Sequence, residues 1–236
     1  MCRCARTFRR AHRRKTTGMH LLRLPGVYRP QGDTYLLAEV LGESGLRRGS
    51  RVLDVGTGTG ALAVAAVRAG AGSVVAVDVS VPAVVSASIN TLLRGMPVRV
   101  AHGDALERFG DERFDAVVSN PPYVPSAAEE VPSRGASRAW EAGRGGRALL
   151  DRLCALAPDL LRPGGILLVV HSDLSGVDST LRQLRHRGMH ASVVAQRRQG
   201  FGPVLRARAP MLERRGLIEP GQRDEELVVV RGERQG

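Results

Sequence analysis

Short apolar strands alternate with helices along most of this chain, and that alternation limits the fold more than any other feature. Apolar runs of strand length are predicted at residues 51–55, 73–79, 98–101, 114–119, 166–171, 192–196 and 226–230. Helices are predicted at 61–69, 82–93, 147–161 and 174–187, and before them at 33–41 with Asp33 or Thr34 as N-cap. This order indicates an α/β fold: a doubly wound, mostly parallel seven-stranded sheet with helices on both faces.

The connections suggest where a ligand would bind. Right-handed crossovers place the ends of the first and fourth strands at the topological switch point, which is where open α/β sheets bind ligands. Residues 162–165 (RPGG) are predicted to be a turn before the fifth strand, and residues 121–146 to fold over the site. Residues 200–222 are rich in Gly, Pro and Arg and match no pattern, so we predict for them either packing on the sheet edge or a surface for ribosomal or RNA partners.

The chain carries a formal charge of +12, which would suggest nucleic acid as a partner. Seven of the positive charges precede residue 19, however, and only Lys15 is a lysine, a bias typical of GC-rich genomes. We therefore predict a basic, disordered tail at 1–20 and one domain at 21–236, and we favour a partner other than nucleic acid. A phosphate-binding arm is the alternative for the tail.

Targeting and metal signals are missing from the sequence. The basic opening has no apolar run after it, no stretch has the length of a membrane span, and the three cysteines have no partners at zinc spacing. These observations predict a cytoplasmic protein with no metal site and no membrane association. They give no indication of the oligomeric state.

A glycine-rich loop, Asp54-Val55-Gly56-Thr57-Gly58-Thr59-Gly60, follows the first strand and opens a helix. Its glycines allow a tight turn and the close approach of a ligand to the backbone. Dinucleotide sites share this arrangement, but their spacing is Gly-x-Gly-x-x-Gly, whereas Gly56, Gly58 and Gly60 are spaced Gly-x-Gly-x-Gly. The loop thus favours S-adenosylmethionine, with Asp54 holding its α-ammonium group directly or through water.

Two further carboxylates end the second and third strands. Asp78 is placed to accept the ribose hydroxyls and Asp104 to accept the adenine amino group, and we include the adjacent Val79 and Ala105 in the predicted cofactor site. Each carboxylate alone could be a helix cap or a solvated strand end. Acidic residues at three consecutive strand ends make that explanation weaker.

The sequence Asn120-Pro121-Pro122-Tyr123 directly follows the fourth strand. A planar amide or amino nitrogen is a poor nucleophile, because its lone pair is delocalised. The Asn120 side-chain oxygen and the Pro121 carbonyl can accept its two N–H bonds, the prolines fix the backbone, and Tyr123 can lie against the planar group. These residues are therefore predicted to be catalytic and, with Pro122, to bind the substrate. The alternative is a Pro-rich turn without function.

Together these motifs resemble the class I, Rossmann-like S-adenosylmethionine-dependent methyltransferases, and Asn-Pro-Pro-Tyr resembles their N-methylating members. Residues 27–34 (VYRPQGDT) and 140–146 (WEAGRGG) further resemble the short form of the HemK-like release-factor glutamine methyltransferases. That resemblance implies that Asp33 and Thr34 line the cofactor and target pocket, and that Trp140 lies in a substrate-side loop, although Trp140 could equally anchor the loop in the core. Gly32 departs from the family, which usually has an acidic residue there.

The resemblance implies methyl transfer from S-adenosylmethionine to a protein glutamine amide, in the Gly-Gly-Gln loop of a peptide release factor. Two alternatives remain open. One is an amino methyltransferase that acts on DNA, RNA or a small molecule. The other is a non-catalytic S-adenosylmethionine-binding protein, against which the intact Asn120-Pro121-Pro122-Tyr123 argues.

Overall fold

The computed structural model describes residues 19–105, 112–126 and 142–236, in which seven strands form one sheet with helices on both faces. In chain order the elements are α1 (Gly32–Glu43), β1 (Arg51–Val55), α2 (Ala61–Arg68), β2 (Ser73–Asp78), α3 (Val81–Leu92), β3 (Val98–His102), β4 (Phe114–Ser119), α4 (Ala148–Leu160), β5 (Leu161–Ser172), a 3₁₀ turn (Asp173–Ser175), α5 (Val177–His186), β6 (Met189–Gly200), α6 (Pro203–Arg214) and β7 (Asp224–Arg234).

The strand order is β3-β2-β1-β4-β5-β7-β6. Strands β1 to β5 are parallel, and β7 lies antiparallel between β5 and β6. The predicted doubly wound, mostly parallel sheet is therefore confirmed. The order reverses between β1 and β4, which is the predicted switch point.

Several predicted boundaries were wrong, most of all at the C-terminal end. Strands β6 and β7 run for 12 and 11 residues, well beyond 192–196 and 226–230. They pair over their whole length, and β6 has one face open to solvent, so its polar residues stay in the ladder although they lack an apolar pattern. Residues 200–222 contain helix α6, which had not been predicted.

Two local predictions also need correction. Residues 162–165 lie within β5 rather than in a turn before it, at an irregularity where the pairing with β4 shifts register. The N-cap of α1 is Gln31 rather than Asp33 or Thr34. Asp33 lies in the first helical turn, where its carboxylate binds other groups.

Apolar residues from both faces of the sheet form two clusters. The first joins the sheet to α1, α2 and α6 through residues such as Leu37, Leu62 and Leu212. The second joins it to α4 and α5 through Leu153 and Leu184. Burying each leucine contributes roughly 1.5–3 kcal/mol, so the two clusters fix the helices against the sheet and hold the strand ends in place.

The register of the parallel strands aligns the predicted site residues. Val55 pairs with both Val77 and Ser119. The residues that follow these three, Gly56, Asp78 and Asn120, therefore lie in one row at the carboxyl edge of the sheet.

The division into a tail at 1–20 and one domain at 21–236 stays a prediction, since residues 1–18 lie outside the described ranges. Within those ranges, no helix combines the length and apolar character needed to cross a membrane.

Candidate active site

A cleft opens at the switch point between β1 and β4. Its walls are the glycine-rich loop, the start of α1 and the segment after β4. The predicted site residues that line it are Asp33, Thr34, Gly56, Gly58, Asn120, Pro121, Pro122 and Tyr123. Both predicted motifs thus face the same space.

The glycine-rich loop needs its glycines for backbone conformation and for space. Gly56, Gly58 and Gly60 have φ of 71°, 56° and 81°, in the left-handed region that L side chains rarely adopt. A Cβ at Gly56 or Gly58 would meet no atom of the described residues within 4 Å, so these two glycines leave space at the cleft. Gly60 has a different role, because a Cβ there would lie 3.3 Å from the backbone of Ala87 in α3.

Asp54 is completely buried beneath this loop. Its Oδ2 accepts a hydrogen bond from the Thr57 hydroxyl at 2.6 Å, whereas Oδ1 has no hydrogen-bond partner among the described residues. Burial raises the pKa of the Asp54 carboxyl to about 7, although hydrogen bonds from Thr57 and the Ala63 N–H act in the opposite direction. A buried carboxylate oxygen without a partner is costly unless a donor or a cation binds it.

Asp78 binds the loop from the end of β2. Its Oδ2 accepts from the Gly58 N–H and its Oδ1 from the Ser80 N–H, both at 2.9 Å. The carboxylate is thus held in one orientation against the loop. The adjacent Val79 is partly exposed, and its carbonyl lies 3.1 Å from a ring nitrogen of His102.

Asp104 and Ala105 lie further along the same edge, beyond the lining of the cleft. The Asp104 carboxylate accepts a hydrogen bond from Arg152 of α4 at 2.9 Å, in an ion pair that is partly exposed. Ala105 is buried in the second apolar cluster. Neither residue is among those that line the cleft.

Asn90, in α3, supports the loop from behind and was not among the predicted site residues. Its Nδ2 donates to the Thr59 carbonyl at 2.9 Å and to the Leu22 carbonyl at 2.8 Å, and its Oδ1 accepts from the Leu22 N–H. The side chain is buried. The sequence signal that could have identified Asn90 is an amide residue within a largely apolar predicted helix.

The orientation of the Asn120 amide is determined by a hydrogen-bond chain from α1. The Thr34 hydroxyl donates to Asp33 Oδ1 at 3.2 Å, because an ionised carboxylate can only accept. The same hydroxyl must then accept from Asn120, whose Nδ2 lies 3.1 Å away. The Asn120 amide consequently directs its NH₂ group at Thr34 and leaves Oδ1 available as an acceptor.

Asp33 also binds Tyr123, which belongs to the wall of the cleft formed by the segment after β4. Asp33 Oδ2 accepts from the Tyr123 hydroxyl at 3.0 Å and from the Tyr28 hydroxyl at 2.7 Å. Burial and the negative charge of Asp33 raise the pKa of both tyrosines above their usual value, so both stay protonated and act as donors. The Tyr123 carbonyl accepts from the Ser175 hydroxyl at 2.9 Å.

The space next to Gly32 is filled from the far edge of the sheet. A Cβ at Gly32 would lie 2.6 Å from the side-chain oxygen of Gln199 in β6. Gln199 in turn donates to the buried Glu225 of β7 at 3.0 Å. Gly32 therefore leaves room for Gln199. The carboxylate behind Gln199 is supplied by Glu225 of β7 and not by the residue at position 32.

Comparison with known proteins identifies the family of the chain. The Methyltransferase small domain family matches residues 18–134. The release factor glutamine methyltransferase of Geobacter sulfurreducens is 33% identical over 81% of this chain and 69% of its own length. Methyltransferase HEMK2 of Mus musculus is 31% identical over 74% of this chain and 85% of its own length.

The chain belongs to the HemK-like glutamine methyltransferase family. A solved structure, the E. cuniculi Mtq2–Trm112 complex responsible for methylation of the termination factor eRF1, shares the fold. It has a TM-score of 0.59 and 24% identity, and the match covers 89% of this chain and 99% of that one. The predicted methyltransferase family and the class I fold are thus confirmed.

This methyltransferase brings together the glycine-rich loop, Thr34 and the residues from Asn120 to Tyr123 around one cleft, which Asp104 and Ala105 do not line. The predicted substrate residue Trp140 lies outside the described residues. The sequence did not reveal the supporting roles of Tyr28, Asn90 and Ser175. Within the described ranges, no group of three or more His, Cys, Asp or Glu side chains is arranged to hold a metal ion.

Proposed function

We propose that this methyltransferase uses S-adenosylmethionine to methylate the side-chain amide nitrogen of a protein glutamine, in the Gly-Gly-Gln loop of a peptide release factor. The observation that carries this proposal is the orientation of the Asn120 amide, which is held by Thr34 so that Oδ1 is available at the cleft. The relatives named for release factor methylation support the choice of substrate. Such a substrate implies that the protein acts in the cytoplasm.

The residues around the glycine-rich loop fit S-adenosylmethionine. Among the described residues the buried Oδ1 of Asp54 has no hydrogen-bond partner, and an ammonium group is a cation that would compensate it. Gly56 and Gly58 leave open space where a Cβ would stand. We propose that the Asp78 carboxylate, which binds the loop at the Gly58 N–H, accepts the ribose hydroxyls. We propose Asp54, Asp78 and these glycines as the cofactor-binding residues, with Val79 beside them.

Arg152 is the reason that we give Asp104 a smaller role. Its guanidinium group already binds the Asp104 carboxylate, and the pair is partly exposed. We therefore propose Asp104 and Ala105 only as residues at the outer edge of the part of the site that would bind the adenine.

When bound, S-adenosylmethionine supplies a methyl group on a positively charged sulfur. The protein's part is to present a nitrogen whose lone pair is delocalised. We propose that Asn120 Oδ1 and the Pro121 carbonyl accept the two N–H bonds of the glutamine amide, which orients its lone pair toward the methyl group. Positive charge that develops on this nitrogen is stabilised by the same two oxygens, and the extra proton leaves afterwards to water.

Tyr123 has a confining role in this proposal. Its hydroxyl is held by Asp33 and its carbonyl by Ser175, so the ring has little freedom. A planar amide between this ring and Asn120 would be restricted to few orientations. Pro122 fixes the backbone between the two.

The proposal is tested by transfer of labelled methyl from S-adenosylmethionine to purified release factor, with a Gly-Gly-Ala variant as the matched substrate. We expect label on the Gly-Gly-Gln protein alone. Label on neither protein, with cofactor binding intact, would contradict the release factor substrate. Label on both proteins would contradict transfer of the methyl group to the glutamine of this loop.

A further inference from the structure

Helix α6 lies in the connection between β6 and β7, to which the sequence analysis assigned no structure. It lies against the side of the site formed by Asn120 to Tyr123 with Asp33 and Thr34, which we call the acceptor side. Its buried residues Leu205, Ala209 and Leu212 belong to the apolar cluster that also contains Tyr123 and Val124. The spacing of these three residues places them on one helical face. The helix therefore packs under the segment that continues from the Asn-Pro-Pro-Tyr motif.

That segment is paired with a second one. The Ala142 N–H donates to the Val124 carbonyl at 3.3 Å, and the Ser126 N–H donates to the Gly143 carbonyl at 3.0 Å. Residues 124–126 and 142–144 thus lie side by side, and the first of them directly follows Tyr123. Contacts that hold these two segments in place therefore also stabilise the position of Tyr123 in the wall of the cleft.

Two arginines of the α6 region bind the pair through its carbonyl oxygens. Arg208 donates to the Pro125 carbonyl at 2.8 Å. Arg215, just after the helix, donates to the Ser126 carbonyl at 3.0 Å and to the Arg144 carbonyl at 2.9 Å, so one guanidinium group joins both segments. Hydrogen bonds from a charged donor are stronger than those between neutral groups.

The opposite face of the helix provides an internal comparison. Arg206 and Arg214 are exposed, and neither side chain makes a hydrogen bond or ion pair within the described ranges. The helix therefore has two arginines directed at the acceptor side and two directed at solvent.

We propose that α6 is a substrate-positioning element, in which Arg208 and Arg215 are positioning residues that hold residues 124–126 and 142–144 in place to receive a protein substrate. The inference rests on the proposed function. It assigns these arginines to the protein-binding side of the reaction and not to cofactor binding, because their hydrogen bonds to Pro125, Ser126 and Arg144 hold the segments beyond Tyr123.

The test compares two double variants with the same change of charge: R208Q/R215Q, and R206Q/R214Q as the control. For each, KM and kcat are measured with the Gly-Gly-Gln release factor, the cofactor dissociation constant by calorimetry and the unfolding temperature by calorimetric scan. We expect R208Q/R215Q to raise KM for the protein roughly tenfold through loss of charged hydrogen bonds, with kcat and cofactor affinity changed less than about twofold. The control should match the wild type.

An unchanged KM in R208Q/R215Q would overturn the inference, and so would an equal rise in the control, which would indicate general attraction by positive charge. If R208Q/R215Q does not fold, R215K carries the test, since lysine keeps the charge but lacks the fork that reaches two carbonyls. It should raise KM about threefold, and a wild-type KM would contradict us. Wild-type enzyme that fails to methylate the release factor contradicts the proposed function and this inference with it, whereas normal wild-type transfer with an unaffected R208Q/R215Q contradicts the inference alone.

Discussion

The two sides of the cleft are built in different ways. On the cofactor side, the contacts join residues close in sequence: Thr57 binds Asp54 three positions away, and Gly58 binds Asp78 twenty positions away. On the acceptor side, Asn120 binds Thr34 across 86 positions, and Tyr123 binds Asp33 across 90. The proposed cofactor-binding residues of the first side lie within one stretch of chain from Asp54 to Val79, whereas the second side depends on distant segments that meet only in the folded sheet.

This difference predicts separable functions. Substitutions on the cofactor side should change the affinity for S-adenosylmethionine, and substitutions on the acceptor side should change transfer. The distinction would be weakened if a cofactor-side substitution changed transfer alone, or if an acceptor-side substitution changed cofactor affinity.

The largest effect is expected for Asn120→Ala, which removes the side-chain acceptor. Loss of one preorganised polar group at a reacting centre costs roughly 10²- to 10³-fold in rate. We expect single-turnover transfer to fall by that factor, while the cofactor dissociation constant by calorimetry stays largely unchanged. Turnover at the wild-type rate would refute the role of Asn120.

Asp78→Ala should act on the other side. It removes a carboxylate that orders the loop and is proposed to accept ribose hydroxyls. We expect cofactor affinity to fall roughly 10- to 100-fold, as for hydrogen bonds to a charged group. With saturating cofactor, transfer should recover substantially, and an unchanged dissociation constant would exclude the ribose assignment.

Thr34→Val tests the orientation of the Asn120 amide. Valine keeps the shape but has no hydroxyl to accept from Asn120, so the amide can rotate and present its NH₂ group to the cleft. We expect kcat to fall roughly tenfold, about the value of one hydrogen bond. Thr34→Ser retains the hydroxyl and should retain most of the activity; a similar loss in both variants would count against the orientation mechanism.

A pH dependence is expected from Asp54. Its pKa of about 7 in the free protein means that the carboxyl is largely protonated at lower pH, whereas an ammonium ligand favours the ionised form. Cofactor affinity should therefore rise, roughly fivefold between about pH 6 and about pH 7, and binding should release a proton in that range. Calorimetry in buffers of different ionisation enthalpy measures the proton, and Asp54→Asn should abolish the pH dependence.

The cofactor side could largely be predicted from the sequence, because strand, glycines and carboxylates follow one another in a fixed spacing. The strand β4 and Asn120-Pro121-Pro122-Tyr123 were also predicted, and register alone brings Asn120 level with Gly56. The support of the acceptor side could not be predicted in the same way. Asp33 looked like a helix cap because an acidic residue near a helix start usually acts as one.

Helix α6 was missed for a different physical reason. Its apolar face is narrow, with Leu205, Ala209 and Leu212, and arginines and a proline occupy the positions between. Such a helix is stabilised mainly by packing on the sheet rather than by its own propensity. Only the folded structure shows that Arg208 and Arg215 lie beside the acceptor wall.

The central claim is that the methyl group is transferred to a glutamine side-chain nitrogen. The most direct test is peptide mass spectrometry of release factor after reaction with the enzyme, with fragmentation that locates the added methyl group. The account predicts one methyl group on the glutamine of the Gly-Gly-Gln loop, and none in a reaction with Asn120→Ala. A methyl group on lysine, arginine or a backbone nitrogen would contradict it.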